Sequence, residues 1–234
     1  MKYKSPAFIV YVISGLLFFL SAILNNEFIA LFSKPIISSS ILFYYWQESR
    51  PKINLWYALI LTLLFFSGIL NLFDDGIVLK YVILTNLVVY CILLGFIVKS
   101  LFEKTLKMVD NVNLSFIIIM FLFLASLLYL CLFQIFDKTS ELYLYIIVYS
   151  CVLTTLGLLN TVLFIINNRS SNVYLMIATF CYIICDSFYV IYYYYYNFIF
   201  FRYFSILANI ISFYFLVNYF LLSNQKEDVF EIDL

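Results

Sequence analysis

The feature that most constrains this chain is a series of eight long apolar stretches, which together take up most of its 234 residues. They cover roughly residues 7–24, 28–47, 53–73, 77–98, 114–136, 142–166, 173–196 and 200–222. A helix needs about 20 apolar residues to cross the hydrocarbon core of a bilayer. A transmembrane β-barrel would instead have segments of about 10 residues in which apolar and polar side chains alternate. The pattern therefore predicts an all-α polytopic membrane protein, a bundle of eight transmembrane helices.

Composition excludes a water-soluble domain and several kinds of chemistry. Only 11% of the residues are charged, against about 25% in soluble domains. The formal net charge is zero, so no basic excess favours nucleic acid as a partner. The chain has no histidine, which excludes Ser-His-Asp and Cys-His catalysis. Its five cysteines all lie in apolar stretches and are interpreted as packing residues, and we expect no metal and no organic cofactor.

The distribution of lysine and arginine predicts the orientation of the chain. With the N-terminus inside, nine of these residues lie in cytoplasmic segments and two, Lys138 and Arg202, lie outside. Basic residues favour the cytoplasmic side, so we expect both termini in the cytoplasm, in a bacterial inner membrane. Residues 1–222 are predicted to form one transmembrane domain, and residues 223–234 a short polar cytoplasmic tail.

Lys34 and Pro35 lie inside the second span, seven residues beyond Glu27 at its outer end. Seven residues of helix correspond to about 10 Å of depth. Pro35 has no backbone N–H to donate, so the helix is locally open beside the lysine. Lys34 is either a lysine whose amine reaches the interface above a proline kink or a residue of a functional site.

Asp186 is the most deeply placed acidic residue of the chain. It lies thirteen residues from Val173 at the inner end of the seventh span and ten from Tyr196 at the outer end. A carboxyl at that depth must be paired, hydrated or protonated, because a charge within a span costs about 2.5 kcal/mol or more. Its neighbours at helical spacing include Tyr182 and Tyr189. It is either a functional acid or a structural ion-pair partner, for example of Lys34.

A stripe of polar residues runs along the third span towards its outer end. Ser67, Asn71 and then Asp74 or Asp75 follow one another at helical spacing. The two aspartates alone would be typical of a turn at the outer surface. Polar residues within the membrane-spanning part beneath them are less common and indicate a candidate site. Together with Lys34 and Asp186 it predicts a polar pocket in the outer half of the bundle, suited to a lipid with its tail among the helices.

Asn86 in the fourth span and Asn209 in the eighth lie at a similar depth. We interpret both as interhelical hydrogen-bonding residues.

At these positions the chain resembles the YhhN-like lysoplasmalogenase family of eight-span membrane proteins. Lys34-Pro35 is similar to a Lys-Pro pair in the family's second span, and residues 66–71, Phe-Ser-Gly-Ile-Leu-Asn, to its Ser-x-x-Gly-Asp segment. Residues 184–187, Ile-Cys-Asp-Ser, resemble its Ser-Asp-Ser segment in the seventh span. Asn71 replaces the acid of the third-span motif, the histidine that is frequent in the fourth span is missing, and Asn218 stands in place of a glutamine in the last span.

The resemblance implies hydrolysis of the vinyl ether of a lysoplasmalogen to a fatty aldehyde and a glycerophospho-alcohol. Asp186 would then be the general acid, Asn71 would hold water, and Asp75 or Asp74 would be the second carboxylate. Lys34 would bind the phosphate head or tune Asp186, and Ser67, Tyr182 and Tyr189 would contact the substrate.

Two other functions remain open from the sequence. A catalytically inactive protein that binds lipid or a partner helix would have Asn71 facing Asp186 with no further carboxylate within reach. A small transporter would need a polar path to both sides. The deep polar residues of the inner half are few, chiefly Asn160, Thr161 and Asn218.

Overall fold

The computed structural model describes residues 5–50, 53–73, 76–102, 111–135, 142–167 and 169–230. Eight α-helices follow one another: α1 Pro6–Leu24, α2 Glu27–Glu48, α3 Leu55–Leu70, α4 Gly76–Phe102, α5 Asn111–Tyr129, α6 Tyr143–Ile166, α7 Ser170–Val190 and α8 Ile199–Phe230. α5 and α7 continue as π-helical turns over Leu130–Ile135 and Ile191–Tyr195. The prediction of an all-α polytopic bundle is confirmed, and the described ranges contain no strand.

Within the described ranges, seven of the eight helices are long and apolar enough to cross a membrane, and α3 is the exception. It was predicted over residues 53–73 but has only 16 residues, or about 24 Å of helix against a hydrocarbon core of about 30 Å. The helix ends because the backbone tightens into turns, in which the N–H groups of Leu72 and Phe73 donate to the carbonyls of Ile69 and Leu70, each at 3.0 Å. Of the predicted stripe, Ser67 therefore lies within α3 and Asn71 directly follows its end, and Asp74 and Asp75 lie outside the described residues.

Asparagine residues set two of the helix starts. The Asn26 side chain accepts a hydrogen bond from the Ile29 N–H at the start of α2, and the Asn54 side chain accepts one from the Trp56 N–H at the start of α3. Both are typical helix N-caps. Asn25 adopts a left-handed conformation with φ of 49° at the end of α1, which asparagine tolerates better than most residues. The resulting turn brings α1 and α2 together as an antiparallel pair.

The helices form a closed ring with one helix outside it. Around the ring, α1 packs on α2, α2 on α3, α3 on α4, α4 on α6, α6 on α7 and α7 on α8, and α8 contacts α1 and α2. α5 packs against α6 outside this ring. Among the described residues α4 and α5 make little contact with each other, although both border α6.

The core is concentrated in the half of the bundle that holds the α2–α3 and α6–α7 connections, called the packed half below. Its largest fully buried side chains include Tyr45, Ile60, Leu163, Leu175 and Phe220. The Tyr57 and Phe220 rings are stacked, with centroids 4.3 Å apart and planes 9° from parallel. The opposite half, which holds the α1–α2 and α7–α8 connections, is called the cavity half.

The polar tail predicted from Ser223 begins as helix. α8 continues to Phe230, and residues 231–234 lie outside the described part of the chain. Near the start of this extension the Ser223 hydroxyl accepts a hydrogen bond from the Tyr57 hydroxyl at 3.0 Å. The Asn224 amide donates to the Tyr45 hydroxyl at 3.1 Å. α8 is thus tied to α2 and α3 at Ser223 and Asn224.

Candidate functional site

The cavity half contains a cavity of about 710 Å³ that is bordered by every described α-helix except α3, which contributes only the turn that follows it, at Asn71, Leu72 and Phe73. This volume lies within the range of about 300–1,000 Å³ that is usual for small-molecule sites. Most of its walls are apolar, and its charged groups among the described residues are Glu27, Lys34, Asp186 and Arg202. Exposed residues at its outer edge include Glu27, Asn71 and Phe73. The cavity therefore joins an apolar interior to a polar rim.

One face of α2 supplies the basic side of the cavity. Glu27, Ala30, Leu31 and Lys34 all line it, and their spacing of three, four and seven residues places them on one helical face. Pro35 follows directly and has no N–H to donate, so the Leu31 carbonyl lacks its usual helical partner. The Lys34 amine donates to the backbone carbonyl of Asn71 at 3.2 Å and lies 5.8 Å from the centroid of the Phe18 ring.

The acidic side of the cavity is Asp186 on α7, held by two tyrosines from neighbouring helices. The Tyr149 hydroxyl on α6 donates to Asp186 Oδ2 at 2.6 Å, and the Tyr90 hydroxyl on α4 donates to the same oxygen at 3.4 Å. The two hydroxyls are 3.4 Å apart. In the described part of the chain Oδ1 forms no hydrogen bond, so one carboxyl oxygen is fixed and the other is available to a ligand.

Hydrogen bonds from hydroxyl groups reduce the cost of burying this carboxyl. A hydrogen bond to a charged group contributes about 1.5–3 kcal/mol. The tyrosine rings are themselves fixed, since the Tyr90 ring lies 5.5 Å from both the Tyr149 and the Tyr182 rings. Asp186 is thus positioned by α4 and α6, although it belongs to α7.

Lys34 and Asp186 line one cavity but do not form an ion pair. The contacts of the Lys34 amine are the Asn71 carbonyl and the Phe18 ring, whereas the Asp186 carboxyl is bound by tyrosines. Among the described residues the alternative of a direct Lys34–Asp186 ion pair is therefore wrong. Both polar groups remain directed towards the cavity.

The residues predicted for the site separate into three groups. Lys34, Asn71, Asp186 and Tyr189 all line the cavity. Ser67 and Tyr182 do not: both are buried, at 5% and 4% exposure. Asp75 and its alternative Asp74 lie outside the described residues.

The correction for Ser67 and Tyr182 has a geometric reason in each case. α3 ends at Leu70, so Asn71 turns towards the cavity while Ser67 stays within the packed part of the helix. Tyr182 lies four residues before Asp186, which is about 6 Å along the helix, and its ring packs on Tyr90 in the core. A shared helical face does not imply a shared depth.

Several lining residues were not singled out as site residues from the sequence. Glu27 is a second carboxylate at the cavity, and its spacing of seven residues from Lys34 was an available signal. Arg202 also lines the cavity, and its guanidinium donates to the Asn25 side chain at 3.2 Å. Tyr149 lines the cavity, and Tyr90 reaches Asp186 from the core; neither could be singled out from the sequence, because this chain contains 22 tyrosines. Asn86 and Asn209, interpreted above as interhelical hydrogen-bonding residues, border the cavity as well.

The π-helical turn after α7 shapes the rim. Tyr192, Tyr193 and Tyr194 line the cavity there, and the Tyr189 and Tyr193 rings lie with centroids 4.5 Å apart. π-helical turns widen a helix by one residue per turn and are frequent at functional sites. A rim of tyrosines presents apolar ring faces together with hydroxyl groups.

Comparison with known proteins identifies no relative: no protein-family model, curated protein or solved structure matches the chain.

Proposed function

We propose that this integral membrane protein binds a lysolipid in the cavity and hydrolyses its vinyl ether, in the manner of a lysoplasmalogenase. The observation that carries the proposal is the Asp186 carboxyl. Tyr149 holds one of its oxygens at 2.6 Å, and the carboxyl lines a cavity that is mostly apolar. An acid in such a place can protonate a substrate that water alone protonates slowly.

The distribution of polarity along the cavity supports an amphiphilic substrate. Lys34 and Arg202 provide positive charge for a phosphate group. Leu79, Val82 and Ile83 of α4 and Leu124 and Leu127 of α5 provide an apolar wall. Since these two helices make little contact with each other, an alkyl chain could enter between them from the membrane.

The reaction would begin with transfer of a proton to the vinyl ether. Asp186 would donate its proton to the alkenyl carbon one position beyond the ether-bearing carbon, which leaves an oxocarbenium ion. Water would add to this cation and lose a proton to the Asp186 carboxylate. The resulting hemiacetal would collapse to a fatty aldehyde and the glycerophospho-alcohol. One water is consumed in total and the acid is regenerated.

A second polar group is needed to orient the water and stabilise the cation, as the carboxylate pair does in glycosidases. Asn71 lines the cavity and can hold water through its amide, but it cannot take a proton. Glu27 is the other described carboxylate there, at the exposed rim. We assign the water-holding role to Asn71 and regard Glu27 as a rim group.

The test is aldehyde release by the purified protein in detergent. A lysoplasmalogen should yield the fatty aldehyde, and the matched lysolipid with a saturated ether should yield none. Asn71→Asp, which restores the acid of the family motif, should raise the rate. No aldehyde from wild type or from Asn71→Asp across several head groups would refute the hydrolase.

Binding without hydrolysis is the second candidate, and the amide at Asn71 is the observation that favours it. It predicts saturable binding of both the vinyl ether and the saturated ether lysolipid, with no aldehyde from either. Transport has less support. Asn160 and Thr161 in the packed half are fully buried, and the Asn218 amide donates to the Tyr214 carbonyl of its own helix.

The orientation is part of the proposal. With the N-terminus in the cytoplasm, the cavity half faces the outside and the basic segments face the inside. Reporter fusions at Asp75 and Asp137 should then read outside, and one at Lys104 inside. An outside reading at Lys104 would reverse the orientation.

A further inference from the structure

The Lys34 amine has an unusual set of neighbours for a lysine within a membrane-spanning helix. Its only hydrogen-bond acceptor in the described part of the chain is the Asn71 carbonyl at 3.2 Å, and its other contact is the face of the Phe18 ring. An ammonium group has three N–H donors, so two of them have no acceptor in the described part of the chain. No described carboxylate forms an ion pair with it.

This environment favours a lysine that reacts as an amine. Lysine becomes a nucleophile when it lies in an apolar pocket, and it then forms Schiff bases with carbonyl compounds. Lys34 lines a cavity whose walls are mostly apolar and include Leu31, Leu72 and Leu79. A small molecule that enters the cavity can therefore reach the amine.

We propose that Lys34 captures long-chain aliphatic aldehydes as a reversible Schiff base. The amine nitrogen attacks the carbonyl carbon to give a carbinolamine, and the carbinolamine then loses water to give the imine. Both hydrogens of the neutral amine and the carbonyl oxygen leave as that water molecule. No oxidant, metal or second substrate is required.

The inference rests on the proposed function only for the source of the aldehyde, because vinyl ether hydrolysis would release a fatty aldehyde in the same cavity. Capture would retain a reactive product near the site until water releases it. A bound aldehyde would also occupy the space that the next lysolipid needs. Lys34 would then set how fast product leaves, in addition to contacting the head group.

The experiment uses the purified full-length protein in detergent with added hexadecanal and cyanoborohydride, which reduces an imine to a stable secondary amine. Peptide mass spectrometry should find the alkyl adduct at Lys34 in wild type. Lys34→Arg keeps a positive charge but forms no such adduct, so the signal at this position should disappear. Lys80, whose amine lies 4.7 Å from the Tyr145 ring centroid, is the internal comparison and should be modified far less.

Two further arms separate capture from hydrolysis. A saturated ether lysolipid, which cannot be cleaved, should lower the Lys34 adduct by competing for the cavity. Asp186→Asn should still form the adduct from added aldehyde, even if it releases none from lysoplasmalogen. An adduct spread evenly over the lysines, or none at Lys34, would overturn the inference. If adduct forms at Lys34 but no lysoplasmalogen is hydrolysed, the proposed function fails and the capture site stands.

Discussion

The packed half and the cavity half are built from the same eight helices, yet they use polar residues in opposite ways. In the packed half the Tyr45 and Tyr57 hydroxyls bond to Asn224 and Ser223, so helix ends are joined to one another. In the cavity half the amine of Lys34 and the carboxyl of Asp186 line the same space without pairing with each other. The first arrangement holds the bundle together, and the second leaves groups available to a ligand.

This difference follows from how helices associate in a bilayer. Lipid tails are as apolar as leucine, so helices gain little by burying apolar surface and associate through close packing and hydrogen bonds. Phe220, stacked on Tyr57, provides that close packing in one half. By contrast α4 and α5, which both line the cavity, make little contact with each other among the described residues. The stability of the protein should therefore depend mainly on the packed half.

The largest effect that we predict is on catalysis. Asp186→Asn removes the proton donor but leaves an oxygen that can still accept from Tyr149, so aldehyde release should fall by about 100-fold or more with little change in melting temperature. Glu48→Gln is the matched change of carboxyl to amide at an exposed position outside the cavity and should behave as wild type. A mutant at Asp186 that keeps its activity would remove this residue from the mechanism.

The second prediction concerns the stability that the packed half provides. Phe220→Ala should lower the free energy of unfolding by about 3 kcal/mol, because it removes a fully buried ring that is stacked on Tyr57. Phe73→Ala at the rim, where the ring is 62% exposed, should cost much less. Unfolding in increasing denaturing detergent measures both. Equal losses for the two variants would mean that the halves do not differ in packing.

The third prediction concerns the contact between α6 and Asp186. Tyr149→Phe removes the hydrogen bond at 2.6 Å, which should lower kcat for aldehyde release by about 10-fold, since one such bond contributes about 1.5–3 kcal/mol at a charged group. KM should change little, because Tyr149 acts through Asp186. Tyr174→Phe in the packed half keeps its ring contact with Phe215 and is the control. A change in KM alone would place Tyr149 in substrate binding instead.

The smallest effect should come from two glycines within helices. A methyl group on Gly157 would lie 2.8 Å from Ile183 Cδ1 and 3.3 Å from Leu124 Cδ1, whereas one on Gly95 has no neighbour within 4 Å. Gly157→Ala should therefore be destabilised relative to Gly95→Ala by about 1 kcal/mol, since the Ile183 side chain can shift. Both changes gain the same helix propensity, so the difference between the melting temperatures of the two variants reports the packing around each glycine. A more stable Gly157→Ala would show that α5, α6 and α7 are loosely packed at this level.

Much of the fold could be read from the sequence because the bilayer leaves few choices. A backbone within lipid must satisfy its own hydrogen bonds, so long apolar stretches predict helices directly. All eight helices were predicted, most of them within a few residues of their observed ends, although α8 continues to Phe230, beyond the predicted end at residue 222. α3 ends earlier than predicted, at Leu70, because the residue types at Leu70 and Asn71 do not by themselves predict a turn there. Lys34 and Asp186 could also be singled out from the sequence as candidate site residues, because a charged residue within an apolar stretch is conspicuous, and both line the cavity.

What the sequence determined is the class of protein, the number of helices and the charged residues that lipid cannot accommodate, because these depend on local composition. The tertiary structure decided which helices border the cavity and which residues meet there. It placed Tyr149 and Tyr90 on Asp186, brought Glu27 and Arg202 to the rim, and moved Ser67 and Tyr182 into the core. Those contacts join residues far apart in the chain, such as Tyr90 and Asp186. They depend on the order of helices around the ring and on where each helix ends, which the periodicity of a single segment does not contain.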